Sequence, residues 1–269
     1  VNDAPALREA DVGVAMGASG SDVARESADL VLLDDHFATI VAAVELGRAT
    51  FRNIRRFLTY HLTDNVAELA PFAVWALSGG SYPLAISVLQ VLALDIGTDM
   101  LPALALGTEP PRGGIMHGRE RRRLVDRALL VRALLVLGLT EAVMAIAACT
   151  VVLVSGGWTW GDEPQDALLF TASGTVFAAI ALAQMANAFA CRSTALPVWR
   201  LPLLGNRLII VAVAAELGLL LLFLGLPGLS QLLGGGWPSA EGWAGAASAA
   251  VVLVLVDGAV KAARSGHRL

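Results

Sequence analysis

The chain has 269 residues, 56% of them hydrophobic and 16% charged. Soluble domains carry about 25% charged residues, so this composition excludes a purely soluble protein and points to several membrane spans. The formal net charge of -4 says little, because the charges are segregated along the chain, and no nucleic-acid partner is expected. Cys149 and Cys191 both lie in apolar runs and read as small packed hydrophobes rather than a disulfide or metal pair.

The chain opens on Val1-Asn2-Asp3-Ala4-Pro5, with neither an initiator methionine nor a signal peptide, and reads as the continuation of a longer polypeptide. Asp11 to Gly17 reads as a short buried strand ending in a glycine turn. Ser21 to Ala28 reads as a helix with Ser21 as N-cap. Ala28 to Asp34 reads as a second strand. Strand, helix, strand predicts the tail of an α/β domain with a parallel sheet. About 40 residues cannot complete such a domain.

Phe37 to Ser78 reads as one long helix. Arg48, Arg52, Arg55 and Arg56 crowd a narrow sector of its first part. Its second part is apolar apart from Thr59, His61, Thr63, Asp64, Asn65 and Glu68. Such a helix exceeds a bilayer at 1.5 Å per residue, so it is expected to be a stalk entering the membrane, kinked at Pro71. Further apolar runs follow, giving spans at about 58–78, 83–106, 128–154, 167–191, 207–225 and 243–260.

All lysines and arginines fall in the N-terminal region, in 112–132, in 192–207 or from Lys261 onward. The connections 79–82, 155–166 and 226–242 carry none. This alternation predicts cytoplasmic N- and C-termini, with loops 107–127 and 192–206 on the same side. Trp158, Trp160, Trp237 and Trp243 fall where an outer aromatic belt would sit.

The chemistry is concentrated in Leu94-Asp95-Ile96-Gly97-Thr98-Asp99-Met100-Leu101-Pro102. Asp95 and Asp99 are four apart and share a helix face. Gly97 and Pro102 weaken the helix there and are expected to free backbone carbonyls. Ionisable residues at membrane depth are costly and point to function. In the preceding span Asp64 and Glu68 are also four apart, with Asn65 beside them. Two antiparallel helices carrying four carboxylates suit hard cations, which take oxygen ligands. Crowded carboxylates repel, so some hold protons when no ion is bound. The competing reading is a buried network that fastens helices together. Gln184, Asn187, Glu216 and Glu141 are weaker candidates on later spans. Asp257 is expected to reach water, and His61 to be packed or interfacial.

These residues carry a resemblance. Val1-Asn2-Asp3-Ala4-Pro5-Ala6-Leu7 resembles the end of the signature Thr-Gly-Asp-Gly-Val-Asn-Asp-Ala-Pro-Ala-Leu of P-type cation-transporting ATPases. Ala10 to Gly17, Ala28 to Leu32 and Leu94 to Ala103 also resemble that family, especially the type II sodium–potassium and proton–potassium pumps and, more broadly, the calcium pumps. The resemblance implies a mainly α fold: a six-helix transmembrane bundle, helices five to ten of a ten-helix pump, preceded by the C-terminal remnant of an α/β HAD-like phosphorylation domain. The implied division is 1–37 for that remnant, 38–57 for the stalk, 58–260 for the transport domain and 261–269 for a cytoplasmic tail.

It further implies an ATP-driven cation pump of the plasma membrane that works by phosphorylation-coupled alternating access, with ATP and Mg2+ bound mostly outside this chain. Asn2 and Asp3 match the vicinity of the magnesium and the aspartyl phosphate. Asn65, Glu68, Asp95, Thr98 and Asp99 match cation ligands, with Asp64 beside them. Gln184, Asn187 and Glu216 match weaker positions. The sixth-helix motif favours Na+ or K+ as the transported ion, whereas the added carboxylates favour a divalent ion such as Ca2+ or proton countertransport; the partners are the bilayer and the rest of the pump polypeptide. Asp64 departs from the serine of the sodium–potassium pump and the lysine of the proton–potassium pump. The chain lacks the Asp-Lys-Thr-Gly-Thr, actuator and nucleotide-binding segments, so by itself it is not expected to hydrolyse ATP. The arginines of loop 107–127, Arg121, Arg122 and Arg123 among them, are expected to dock on the phosphorylation domain or on anionic lipid. Two alternatives remain open: a passive six-helix channel or carrier, and an inactive truncated pump.

Overall fold

The computed structural model describes residues 2–111, 115–116 and 123–266. Val1, Arg121 and Arg122 lie outside the described residues. The chain divides into two compact units, Val1–Phe51 with Pro111–Glu120, and Arg52–Pro110 with Arg121–Leu269.

The first unit begins with helix Ala4–Glu9, which carries Pro5 in its first turn, where a missing N–H costs nothing. Strands Val14–Met16 (β1) and Leu30–Leu32 (β2) pair in parallel. Helix Asp22–Ser27 lies between them in sequence, and the Ser21 hydroxyl accepts from the Ala24 amide at 3.3 Å. The expected strand–helix–strand unit is therefore present. Asp35 adopts a left-handed φ of 52°, and its carboxylate accepts from the Ala18 and Ser19 amides at 2.9 and 2.7 Å. Those bonds hold its carboxyl below the ordinary aspartate range.

Helix Phe37–Leu77 is continuous over 41 residues, about 60 Å at 1.5 Å per residue. Arg48 donates to the Ile115 and Met116 carbonyls. Farther along, in the second unit, Arg55 donates to the Arg123 and Leu124 carbonyls and pairs with Asp126 at 3.0 Å. Two of the four arginines of that sector, Arg48 and Arg55, thus bond to this chain's own loop.

Among the described residues, five helices are long and apolar enough to cross a membrane: Val88–Gly107, Arg127–Ser155, Asp166–Cys191, Arg207–Gly225 and Ala240–Arg264. The stretch 58–77 is not among them, because His61, Asp64, Asn65 and Glu68 interrupt its apolar character. Helix 166–191 is the centre of the bundle. It packs against helices 139–155 and 240–266, and small residues such as Ala178, Ala179, Ala181 and Ala183 are fully buried along it. Close backbone approach through small residues is how helices associate in lipid, where no hydrophobic drive separates them from solvent.

Aromatic rings gather at one end: Tyr82 with Trp158 and Trp160, and Trp237 with Trp243. At that end the chain 234–236 lies directly on helix 166–191. The Gly236 amide donates to the Phe170 carbonyl at 2.8 Å, and a Cβ on Gly174 would stand 1.7 Å from the Gly236 carbonyl oxygen. Since backbone must move to admit even a methyl, Gly174→Ala is expected to cost about 2–3 kcal/mol. The check is the apparent melting midpoint of the purified protein, with Gly218→Ala, which meets nothing within 4 Å, as the control.

Polar chemistry ties the other end together. Glu109 is buried and accepts from Arg192 Nε at 3.1 Å and from Asn206 Nδ2 at 2.9 Å. Arg192 also reaches the Pro202 carbonyl, and Asn53 donates to the Gly107 and Glu109 carbonyls. Nearby, Asp257 is buried, contrary to the expectation that it reaches water: it pairs with Arg132 at 2.8 Å and with the Lys261 ammonium. Arg132 and Lys261 both donate to the Ala190 carbonyl, at 3.1 and 2.9 Å. Lys261 is the local i,i+4 partner of Asp257, but Arg132 comes from 125 residues away, so the local sequence signals only half of this network.

Candidate cation site

Ser87 starts the 88–107 helix with a reciprocal cap. Its hydroxyl accepts from the Gln90 amide at 3.0 Å, while Gln90 Oε1 accepts from the Ser87 amide at 2.9 Å. From Ala93 to Thr98 the helix widens to π geometry, and the Asp99 amide donates to the Leu94 carbonyl at 2.9 Å. Such single wide turns recur at functional sites. The sequence predicted a weakened helix with freed carbonyls, and the outcome is mixed. The wide turn keeps the Leu94 carbonyl paired, and it also accepts from the Thr98 hydroxyl at 2.8 Å. Pro102 has no N–H to offer the Thr98 carbonyl. Gly97 is needed for closeness: a Cβ there would sit 3.1 Å from the Phe223 ring of helix 207–225.

Around this turn the carboxylates converge. Glu68, Asp95 and Asp99 each offer an oxygen, all within 4.8 Å of one another. A second group, His61, Asp64 and Asp99, meets the same limit. Asp64, Glu68, Asp99, Glu141 and Glu216 are at most 2% exposed, and Asp95 is half-buried. Asn187 Nδ2 donates to Asp64 Oδ1 and Gln184 Nε2 to Glu68 Oε1, each at 3.0 Å; the Tyr60 hydroxyl donates to Asp99 Oδ1 at 3.3 Å.

These donors leave much unmet. Asp64 Oδ2, Asp99 Oδ2, Gln184 Oε1 and both oxygens of Glu141 and Glu216 are buried without a hydrogen-bond partner. Asp99 interacts electrostatically with Asp64, Glu68, Glu141 and Glu216. Among the described residues, no lysine or arginine pairs with any of these carboxylates. Buried anionic charge without a protein counter-charge must be balanced by a bound cation, metal ion or proton.

Most residues singled out from sequence come together here: Asp64, Glu68, Asp95, Thr98, Asp99, Gln184, Asn187 and Glu216. Asn65 does not: it is exposed, whereas Asp64 and Glu68, one and three residues away on the same helix, are buried. The Thr98 hydroxyl is committed to the helix backbone. Asn2 and Asp3 belong to the other unit, and both are exposed. Sequence reading undervalued Tyr60, His61 and Glu141. Glu141 arrives because Gly138, three residues earlier, lets helix 127–155 close on helix 37–77: a Cβ there would stand 2.8 Å from Val66 and 3.1 Å from the Thr63 carbonyl oxygen. A glycine one turn from a membrane glutamate was the available signal.

Apolar helices surrounding a knot of uncompensated carboxylates define a multi-pass membrane protein with the makings of a cation site. Residues 83–263 match the family described as cation transporting ATPase, C-terminus. The chain belongs to the P-type cation-transporting ATPases and corresponds to their C-terminal region. It is 34% identical over 246 residues to the rat (Rattus norvegicus) potassium-transporting ATPase alpha chain 2, covering 80% of this chain and 24% of that one. Against the human (Homo sapiens) protein of the same name, identity reaches 46% over 149 residues, 54% of this chain and 14% of that one. The human sodium/potassium-transporting ATPase subunit alpha-2 is 31% identical over 263 residues, covering 87% of this chain and 26% of that one. The chain thus spans about a quarter of the length of such relatives.

Proposed function

We propose that this chain is the C-terminal transport part of an ATP-driven cation pump, and that Glu68, Asp95 and Asp99 bind the transported ion. The observation that carries this reading is the convergence of three carboxylate oxygens within 4.8 Å at a π turn inside an apolar helix. Asp64, Gln184, Asn187 and Glu216 form its buried surround, and Pro102 cannot supply the i+4 N–H to the Thr98 carbonyl. The relatives' names point to K+ or Na+ as cargo. The added carboxylates Asp64 and Glu141 favour exchange against protons, since each cation that leaves must be replaced by positive charge.

In this reading, helix 37–77 supplies a sixth span over about 58–77, the strand–helix–strand unit is the end of a HAD-like phosphorylation domain, and Asn2 and Asp3 lie near its magnesium and phosphoryl group. The ends rich in arginine and lysine face the cytoplasm of a plasma membrane. ATP and Mg2+ act on portions of the pump beyond this chain, where phosphoryl transfer is mainly a matter of positioning and charge stabilisation. Asn65, exposed here, reaches the ion only if other membrane helices cover that face.

The test is ATP-driven uptake of K+ or Na+ by the full-length protein in proteoliposomes. Accumulation against a gradient that stops with Glu68→Gln or Asp95→Asn supports the reading. Downhill flux that ignores ATP would instead identify a passive carrier.

A further inference from the structure

The two donor groups share Asp99 but differ in chemistry. Glu68, Asp95 and Asp99 are all carboxylates, whereas the second group replaces one oxygen donor with the imidazole of His61. Alkali and alkaline-earth ions take oxygen. Imidazole beside carboxylates suits borderline first-row divalent ions such as Mn2+ and Co2+. We infer that His61, Asp64 and Asp99 form a second cation position, selective for a borderline divalent transition ion, next to the Glu68, Asp95, Asp99 position.

Three observations beyond proximity support this. First, Asp64 Oδ2 and Asp99 Oδ2 are buried and accept from nothing, while their other oxygens are held by Asn187 and Tyr60. Each carboxylate is therefore oriented by an outer partner with one oxygen left for a ligand, the arrangement that outer-shell bonds impose at metal sites. Second, the His61 ring is steadied by Phe57, edge-on with centroids 4.7 Å apart, and by Tyr60 at 6.0 Å. Third, His61 is half-buried while Asp64 and Asp99 are at most 1% exposed, so the group is partly accessible from the imidazole side. Three donors on one ion at about 2.1 Å lie about 3.4–3.6 Å apart, so closing from 4.8 Å takes a shift of about 0.7–0.8 Å by each side chain.

The inference rests on the proposed cation site, because Asp99 serves both groups. The probe is Co2+ alone, added to tag-free full-length pump in detergent and followed by its visible d–d absorption. One Co2+ per chain is expected, with a spectrum showing nitrogen ligation. His61→Gln and Asp64→Ser should each weaken Co2+ binding at least tenfold, while His61→Gln leaves half-saturation of ATPase activity by K+ or Na+ within about twofold. Glu68→Gln should do the reverse. No Co2+ binding up to millimolar concentration, or unchanged binding in His61→Gln, overturns the inference and leaves the Glu68 site standing. Unchanged alkali-ion activation in Glu68→Gln and Asp95→Asn, with Co2+ binding still lost in His61→Gln, overturns the first site instead.

Discussion

Asp99→Asn is expected to weaken activation of the full-length pump by its transported cation about a hundredfold, without unfolding the protein. Asp99 is the one carboxylate common to both donor groups, so its neutralisation removes charge from each. An ion pair at 4 Å is worth about 4 kcal/mol at an effective dielectric of 20, and a hundredfold loss uses only about 2.7 kcal/mol of that. Asparagine has the same shape and can still accept from Tyr60. In the cation-free protein the change also relieves repulsion from Asp64, Glu68, Glu141 and Glu216. Stability without cation should therefore hold or rise while cation affinity falls, and the opposite signs separate a ligand from a structural residue. The check is cation-dependent ATPase activity beside a melting curve in cation-free buffer; loss of both together would mark Asp99 as part of a packing network.

Asp257→Asn is expected to give the largest loss of stability. Arg132 and Lys261 are buried and share this one carboxylate. Removing its charge leaves two buried cations, both donating to the Ala190 carbonyl, without the carboxylate that balances them. Breaking a buried ion pair from one side costs roughly 3–5 kcal/mol, whereas replacing the whole set with apolar groups of similar volume is often neutral. The triple variant Arg132→Met, Asp257→Leu, Lys261→Met should therefore recover most of what Asp257→Asn loses. Apparent melting midpoints in one detergent test the ordering. A single variant as stable as wild type would show that the triad carries no net stabilisation.

Much of this architecture was legible locally. Ser21 marks a helix start through its own hydroxyl, and the apolar runs on either side of it become the paired strands. Asp64 with Glu68, and Asp95 with Asp99, share faces by spacing alone. Other features were not legible, because they depend on contacts across the chain. Within the wide turn at Ala93–Thr98, Gly97 is packed against the Phe223 ring, which comes from helix 207–225. Asp257 lies near the end of its apolar run, where sequence alone lets it reach water, until Arg132, 125 residues away, folds onto it. Asn65 carries the same local signal as its neighbours but falls on the exposed side of its helix. Glu141 joins the acidic knot only because Gly138 permits close helix contact.

The central claim is that Glu68, Asp95 and Asp99 bind the transported ion. Its most direct test is equilibrium binding of Rb+ or Na+ to the full-length pump, measured without ATP, in wild type and in Glu68→Gln, Asp95→Asn and Asp99→Asn. The account predicts at least tenfold weaker binding in each variant, with an unchanged gel-filtration profile. Binding of wild-type affinity in all three would contradict it.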